Sequence, residues 1–222
     1  MDKERVRVLQ EGDWPVRPFV SVIVTTYNAA DTVEACLKSL VSQSYPRDRY
    51  EIIVVDAGSE DATIKIAERL CDRVVVKPGA NRALGRQAGV DVARGEVILF
   101  TDADCVARDD WIEKMVRNYP RYHCVGGIVR AAVEDNTVNK FESWRIGMFF
   151  SRRKYSVDYI ATWNAMFSKK LLLEVGGFDT RMGAGEDIDL CIRTREYGYT
   201  IYLEQEAVVY HHHRSTLLSL IK

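Results

Sequence analysis

The sequence predicts an α/β fold built on a mostly parallel sheet, and three observations carry that prediction. Short apolar runs rich in Val and Ile alternate with segments of helical periodicity through the first half of the chain. The runs end in polar loops that lead into helices, which is how βαβ units are joined. The run from Val97 to Phe100 lies between Gly95 and the triplet Asp102-Ala103-Asp104 and is apolar throughout, as a strand covered on both faces must be. A chain of 222 residues suffices for one sizeable core, so one domain is expected.

Residues 1–18 are charged, contain Trp14-Pro15 and end at Pro18, and read as an N-terminal arm; the domain is expected over 19–214. Phe19 to Val24 is a strand, Thr25-Thr26-Tyr27-Asn28 a polar loop, and Ala29 to Ser42 carries apolar residues at helical spacing. The unit repeats with a strand at Glu51 to Val55, a turn at Asp56-Ala57-Gly58-Ser59 and a helix at Asp61 to Cys71. A third strand, Arg73 to Lys77, passes through Pro78-Gly79 to a helix over Asn81 to Ala93, and Val97 to Phe100 is the fourth strand.

Beyond Asp104 the rhythm changes, so 19–105 reads as a nucleotide-binding half and 106–214 as a second half. That half is expected to hold a helix at Asp109 to Tyr119, a strand at Cys124 to Val133 and a longer helix at Val138 to Arg153. A strand at Tyr159 to Ser168, a helix at Lys169 to Val175 and a glycine-rich loop at Gly176 to Gly185 follow. Next come a helix at Glu186 to Tyr197 and two strands, Tyr199 to Leu203 and Ala207 to Tyr210, that run into three histidines.

Composition excludes several classes. With 31 basic and 32 acidic residues the net charge is −1, which does not call for nucleic acid. Five scattered cysteines without CxxC spacing argue against a disulfide framework or a structural zinc site, and favour a reducing, cytoplasmic setting. No apolar run is long enough to span a membrane. Residues 215–222 begin an amphipathic pattern that breaks off at Lys222, so a longer natural chain is expected. The stretch Trp144 to Lys154 mixes aromatic bulk with a basic end, which suits core packing or contact with a membrane surface at its cytoplasmic face.

Three strands end in chemistry-bearing loops: Thr25 to Asn28, Asp56, and Asp102 with Asp104. In a parallel sheet such ends share one edge, and ligands bind in the crevice along it. Tyr27 can pack on a base, Asp56 can accept hydrogen bonds from a base or ribose, and Asp102 with Asp104 can hold a hard divalent cation against a diphosphate. Taken singly, Asn28 and Asp56 are common turn and cap residues. A second signal is Gly176-Gly177-Phe178-Asp179 followed by Gly185-Glu186-Asp187, whose acids open a helix; there the macrodipole favours an ionised Asp187, as a general base requires. A third is Tyr210-His211-His212-His213-Arg214. On a strand, at most His211 and His213 share a face with a metal.

In combination these segments resemble a family 2 glycosyltransferase of the GT-A fold, over about Phe19 to Arg214. The likeness rests on VSVIVTTYNAADTVEACLKSL, IIVVDAGSEDAT, RGEVILFTDADC and VGGFDTRMGAGEDIDLCIR, in that order. It implies a single Rossmann-like α/β/α layer with a mixed central sheet and an acceptor-binding C-terminal half. By that resemblance Thr26, Tyr27 and Asp56 hold the nucleoside, with Asn28 in the same loop, and Asp102 and Asp104 hold Mg²⁺ or Mn²⁺ on the diphosphate. Asp187 takes the catalytic-base position of the Glu-Asp motif, and Arg86 falls near a basic position that touches phosphate. His211-x-x-Arg214 is similar to the stretch that supplies a third metal ligand in polypeptide GalNAc transferases, which favours His211 over His213. The QxxRW motif of processive synthases is absent, which implies a single sugar transfer.

The implied reaction is inverting: a UDP- or GDP-sugar donor, a saccharide hydroxyl or lipid phosphate acceptor, and Asp187 taking the acceptor proton. Two alternatives compete. Asp102-Ala103-Asp104-Cys105-Val106 also fits the DxDx[TV] pattern of haloacid-dehalogenase phosphatases, which place it on the first strand and not the fourth. A catalytically inactive nucleotide-sugar-binding module is the other.

Overall fold

A computed structural model describes residues 17–132, 140 and 156–212. Residues 1–16 of the expected arm over 1–18, most of the expected helix at 138–153 and the tail from 213 onward lie outside the described residues.

The first half follows the expected alternation: β1 (Val20–Thr26), α1 (Val33–Val41), β2 (Tyr50–Asp56), α2 (Thr63–Leu70), β3 (Arg73–Val76), α3 (Arg82–Val92) and β4 (Val97–Asp102). Then come β5 (Cys105–Ala107), α4 (Trp111–Val116), β6 (Cys124–Ala131), β7 (Asn164–Ser168), α5 (Lys169–Val175), α6 (Glu186–Glu196) and β8 (Ile201–His211). All eight strands join one sheet in the order β3-β2-β1-β4-β7-β6-β8-β5. The first four run parallel; β7 pairs antiparallel with β4 and β6, so the sheet is mixed and the second half continues the first without a break.

Strand periodicity makes three layers. Along β1, β2 and β4, Val22, Val24, Ile52, Val54, Val97 and Leu99 enter one core with α1, α2 and α4. Their neighbours Ile23, Ile53, Val55, Ile98 and Phe100 enter the other with α3, α5 and α6. A strand buried on both faces has no polar face to offer, which is why these segments are continuous in Val and Ile. Phe100 anchors the second core through edge-to-face contacts with Phe167 at 6.1 Å and Phe178 at 5.4 Å. Each such pair adds about 0.5–1.5 kcal/mol beyond its burial.

The amino ends of β1, β2 and β4 are tied by a polar knot. Ser21 Oγ donates to Glu51 Oε1 at 2.7 Å and accepts from the Gly95 N–H at 2.9 Å, while the Arg94 guanidinium reaches Glu51 Oε2 at 2.9 Å. A Cβ on Gly95 would sit 2.5 Å from the Ser21 nitrogen, so only glycine lets the chain enter β4 this close to β1.

Three expectations are corrected. The two expected terminal strands are one, β8, with a bulge: Gly127 pairs with Glu204 but Ile128 with Val208. Glu204-Gln205-Glu206, between the two expected strands, is the bulged segment, and Asn164 Nδ2 pins it through the carbonyls of Ile128 at 2.9 Å and Ala207 at 3.1 Å. The strand expected from Tyr159 starts only at Asn164, after a turn closed by Asn164 N–H to the Ala161 carbonyl. The short β5, too brief to show a period, was not expected at all. Among the described residues no helix is long and apolar enough to cross a membrane.

Candidate active site

The register of the parallel strands assembles the site. Thr26 lies opposite Asp56 and Thr25 opposite Asp102, so the carboxyl ends of β2, β1 and β4 share one edge. A cavity of about 660 Å³ opens there, within the usual range for ligand pockets. Its walls are Thr25 to Asn28, the start of α3 from Asn81 to Arg86, Asp102 to Asp104, and His212. Asn81 caps α3 by accepting the Leu84 N–H at 2.8 Å, which turns the amino end of that helix toward the cavity.

The nucleoside candidates divide. Tyr27 is 60% exposed at the rim, its ring open to a partner. Thr26 Oγ1 is buried in the wall and finds no hydrogen-bond partner among the described residues. Asp56 is fully buried and holds its own turn: Oδ1 accepts from the N–H groups of Gly58 at 2.9 Å and Ser59 at 2.6 Å, and Oδ2 from Ser59 Oγ at 2.6 Å. Val55 and Ala57 border the cavity on either side of it. Ser59 Oγ also accepts the Asn28 N–H at 2.8 Å, and Asn28 Oδ1 accepts the Glu60 N–H at 2.9 Å. Asn28 therefore clamps one loop to the next, in a left-handed conformation with φ 46° that asparagine tolerates.

Arg86 is 4% exposed and forks between two carboxylates. One nitrogen, Nη2, donates to Asp102 Oδ1 at 3.1 Å, and the other, Nη1, pairs with Glu186. Glu186 opens α6 and is 3% exposed, so the guanidinium joins the aspartate pair to the Glu-Asp helix across a buried salt bridge. Asp187, next along, is half-buried in the first turn of α6, and its Oδ1 accepts the Ile188 N–H at 2.9 Å. It does not border the cavity. The glycine-rich loop before α6 is tethered to α3 by the Phe178 N–H to Gln87 Oε1 at 2.9 Å and by Asn81 Nδ2 to the Thr180 carbonyl at 2.9 Å.

On the opposite side Asp104 Oδ2 lies 3.3 Å from His211 Nε2. Burial raises the Asp104 carboxyl, but the hydrogen bond and charge of His211 outweigh it and leave the group below the usual carboxylate range. Trp163 sets its ring edgewise to His211 at 5.1 Å. Asp104, Cys105 and His211 each offer a ligand atom, and these lie within 4.8 Å of one another. Carboxylate and imidazole are donors that a divalent cation accepts, so the residues present fit one. Burial pushes the Cys105 thiol well above its ordinary value, which keeps it a neutral thiol while no cation is near.

The family profile described as glycosyl transferase family 2 matches residues 21–176, the stretch that contains this edge. The chain belongs to that family. This family 2 member superposes on the mannosyltransferase PcManGT from Pyrobaculum calidifontis, described in complex with GDP-Man and Mn²⁺, with a TM-score of 0.76 at 25% identity over 91% of this chain and 59% of that one. TarS of S. aureus, described with UDP-GlcNAc, shares the fold with a TM-score of 0.68 at 21% identity over 89% of this chain and 59% of that one. In sequence it is 26% identical to the glycosyltransferase AglE of Haloferax volcanii over 87% of this chain and 67% of the relative. It is 28% identical to the glucosyl-dolichyl phosphate glucuronosyltransferase of the same organism, over 86% of this chain and 68% of the relative. The chain thus spans about three fifths of the solved structures it resembles.

Sequence reasoning gave no site role to Arg82 or Cys105, and none of its own to Glu186 or His212 within the motifs that hold them. Arg82 follows the Asn81 cap and borders the cavity, which an Asn-Arg pair at a helix start could have signalled. For Glu186 and Cys105 the partners are Arg86 and His211, 100 and 106 residues distant in sequence, and no local signal names those partners.

Proposed function

We propose that this chain is the catalytic domain of an inverting, non-processive glycosyltransferase that moves one sugar from a UDP- or GDP-linked donor to an acceptor hydroxyl or lipid phosphate. The observation that carries it is the cavity at the carboxyl edge, where Thr26, Tyr27, Arg82 and the Asp102–Asp104 pair converge. The GDP-Man and Mn²⁺ of PcManGT and the UDP-GlcNAc of TarS support a nucleotide-sugar donor, and the first supports Mn²⁺.

In this reading Tyr27 packs on the base and Thr26 Oγ1 meets the nucleoside. Asp56 holds the β2 turn and, through Ser59, the loop of Asn28 that presents Tyr27. Arg82 at the amino end of α3 meets phosphate. Arg86 keeps its guanidinium on Asp102 and Glu186 and so orients both carboxylates toward their tasks. Asp104 and His211, with Asp102 beside them, hold Mg²⁺ or Mn²⁺; a bound divalent cation supplies positive charge against the leaving diphosphate. Asp187 accepts the proton of the acceptor hydroxyl as that oxygen attacks the anomeric carbon from the side opposite the diphosphate. With a lipid phosphate, already anionic, Asp187 positions rather than deprotonates.

Calorimetric titration of UDP, GDP, UDP-sugars and GDP-mannose, with and without Mn²⁺, on this chain and on Asp104→Ala tests the reading. Metal-dependent binding of one nucleotide, weakened by the substitution, is expected; no binding of any would overturn it. The chain acts in the cytoplasm at a membrane face on a lipid-linked acceptor. This is supported by the aromatic and basic residues 144–154 and by the dolichyl phosphate substrate in the name of one relative. Flotation with anionic liposomes checks that part, and failure to float would refute it.

A further inference from the structure

The β5–β8 ladder is antiparallel and places Cys105 directly opposite His211. Directly opposed residues point to the same face, with Cβ atoms about 4.5–5.5 Å apart. Asp104 closes the group: Oδ2 is 3.3 Å from His211 Nε2, and Oδ1 is 3.9 Å from Cys105 Sγ. Zinc bonds of about 2.3 Å to sulfur and about 2.0–2.1 Å to nitrogen or oxygen, at tetrahedral angles, give an N···O edge of about 3.3 Å and an S···O edge of about 3.6 Å. The two observed separations are to the two oxygens of one carboxylate, and all three ligand atoms lie within 4.8 Å of one another, so rotation of the Asp104 carboxylate and a closing of the Cys105–His211 gap bring the three onto one cation. Asp102, whose Oδ1 accepts from Arg86, is not a member of the group. That leaves three protein donors and an open position, the pattern of reactive zinc sites.

We infer that Asp104, Cys105 and His211 form a three-ligand site for a thiophilic divalent cation, Zn²⁺, which binds through the Cys105 thiolate and competes with Mg²⁺ or Mn²⁺. Binding breaks the S–H bond and forms a Zn–S bond, the proton passes to solvent, and no redox change occurs. For a common donor set Zn²⁺ already binds more tightly than Mn²⁺, and a thiolate widens the gap because sulfur suits zinc and does not suit manganese. Zinc on this site draws Asp104 and His211 away from the hard cation. The inference rests on the proposed function only for that competition; the ligand set stands on the strand register and the distances.

The test is spectroscopic and needs no substrate. Metal-free protein is titrated with Co²⁺, whose thiolate complexes show a near-ultraviolet charge-transfer band, and Zn²⁺ is then added. The wild type shows the band and loses it to stoichiometric Zn²⁺; Cys105→Ser lacks it and binds Zn²⁺ at least about tenfold more weakly. Cys36→Ser keeps it, since Cys36, whose thiol donates to the Asp102 carbonyl at 3.5 Å, is not a member of the group. A wild-type Co²⁺ spectrum without the band, or a band that survives in Cys105→Ser, overturns the inference. Should Cys105→Ser fail to fold, the wild-type spectrum and its loss in His211→Ala decide the matter. Mn²⁺-dependent nucleotide binding in the same samples separates the two proposals. Binding without a thiolate band refutes the zinc site alone, and a band without nucleotide binding refutes glycosyl transfer and leaves the zinc site standing.

Discussion

Replacing Arg86 by Met removes the one cation between Asp102 and Glu186 while keeping much of the side-chain volume. The cost follows from burial. Glu186 is 3% exposed, so it cannot recruit water, and breaking a buried pair from one side costs about 3–5 kcal/mol. The Asp102 side chain is 31% exposed and keeps solvent, so its lost pair adds no more than about 1 kcal/mol. Removing both partners of the buried pair is different: Arg86→Met with Glu186→Leu leaves no unpaired buried charge, and is expected to recover most of the loss. Urea unfolding followed by tryptophan fluorescence, with slopes compared to confirm that only the midpoint moves, gives the numbers. A single variant that loses less than about 1 kcal/mol, or a double variant no more stable than the single, would refute the picture of a buried ionic bridge. Arg86→Lys sharpens the functional side: a point charge cannot fork, so turnover should fall more than donor affinity.

Glu51 predicts an acid limb. Burial raises its carboxyl, yet the Ser21 hydroxyl, the Arg94 N–H and the Arg94 guanidinium together hold it below the usual value. A depressed folded-state carboxylate stabilises above its unfolded value of about 4.3 and loses that contribution as pH falls through the folded value. Glu51→Gln should therefore cost about 1–3 kcal/mol at pH 7, with the gap to wild type closing below about pH 4, as read by urea unfolding at each pH. Gly177→Ala puts a Cβ 2.3 Å from Gln87 Oε1 at a φ of 65°. The left-handed backbone alone costs about 1–2 kcal/mol, so a lowered thermal midpoint and a released 176–185 loop in hydrogen exchange are expected. Trp111→Phe strands Asn164 Oδ1, which accepts the indole N–H at 2.8 Å, and should cost about 1–3 kcal/mol of unfolding free energy.

The sequence by itself determined the elements whose signal is local. The runs at β1, β2 and β4 are apolar on both faces and long enough to announce themselves, and the loops that end them named Thr26, Tyr27, Asp56, Asp102 and Asp104 as neighbours before any contact was known. The motif order carried the family for the same reason. What it could not carry was the choice among partners of similar chemistry. Asp56 reads as a ligand-facing acid, but three donors from its own turn enclose it. Arg86 reads as a phosphate contact; the fold sets it in the cavity wall and also pairs it with Glu186, from a helix 100 residues on. Only the folded sheet sets β7 between β4 and β6, bulges β8 at Glu204 and lays β5 so that Cys105 faces His211. Those outcomes depend on register and on which charged groups are left without water when the layers close, and both are properties of the whole fold and not of any window of the chain.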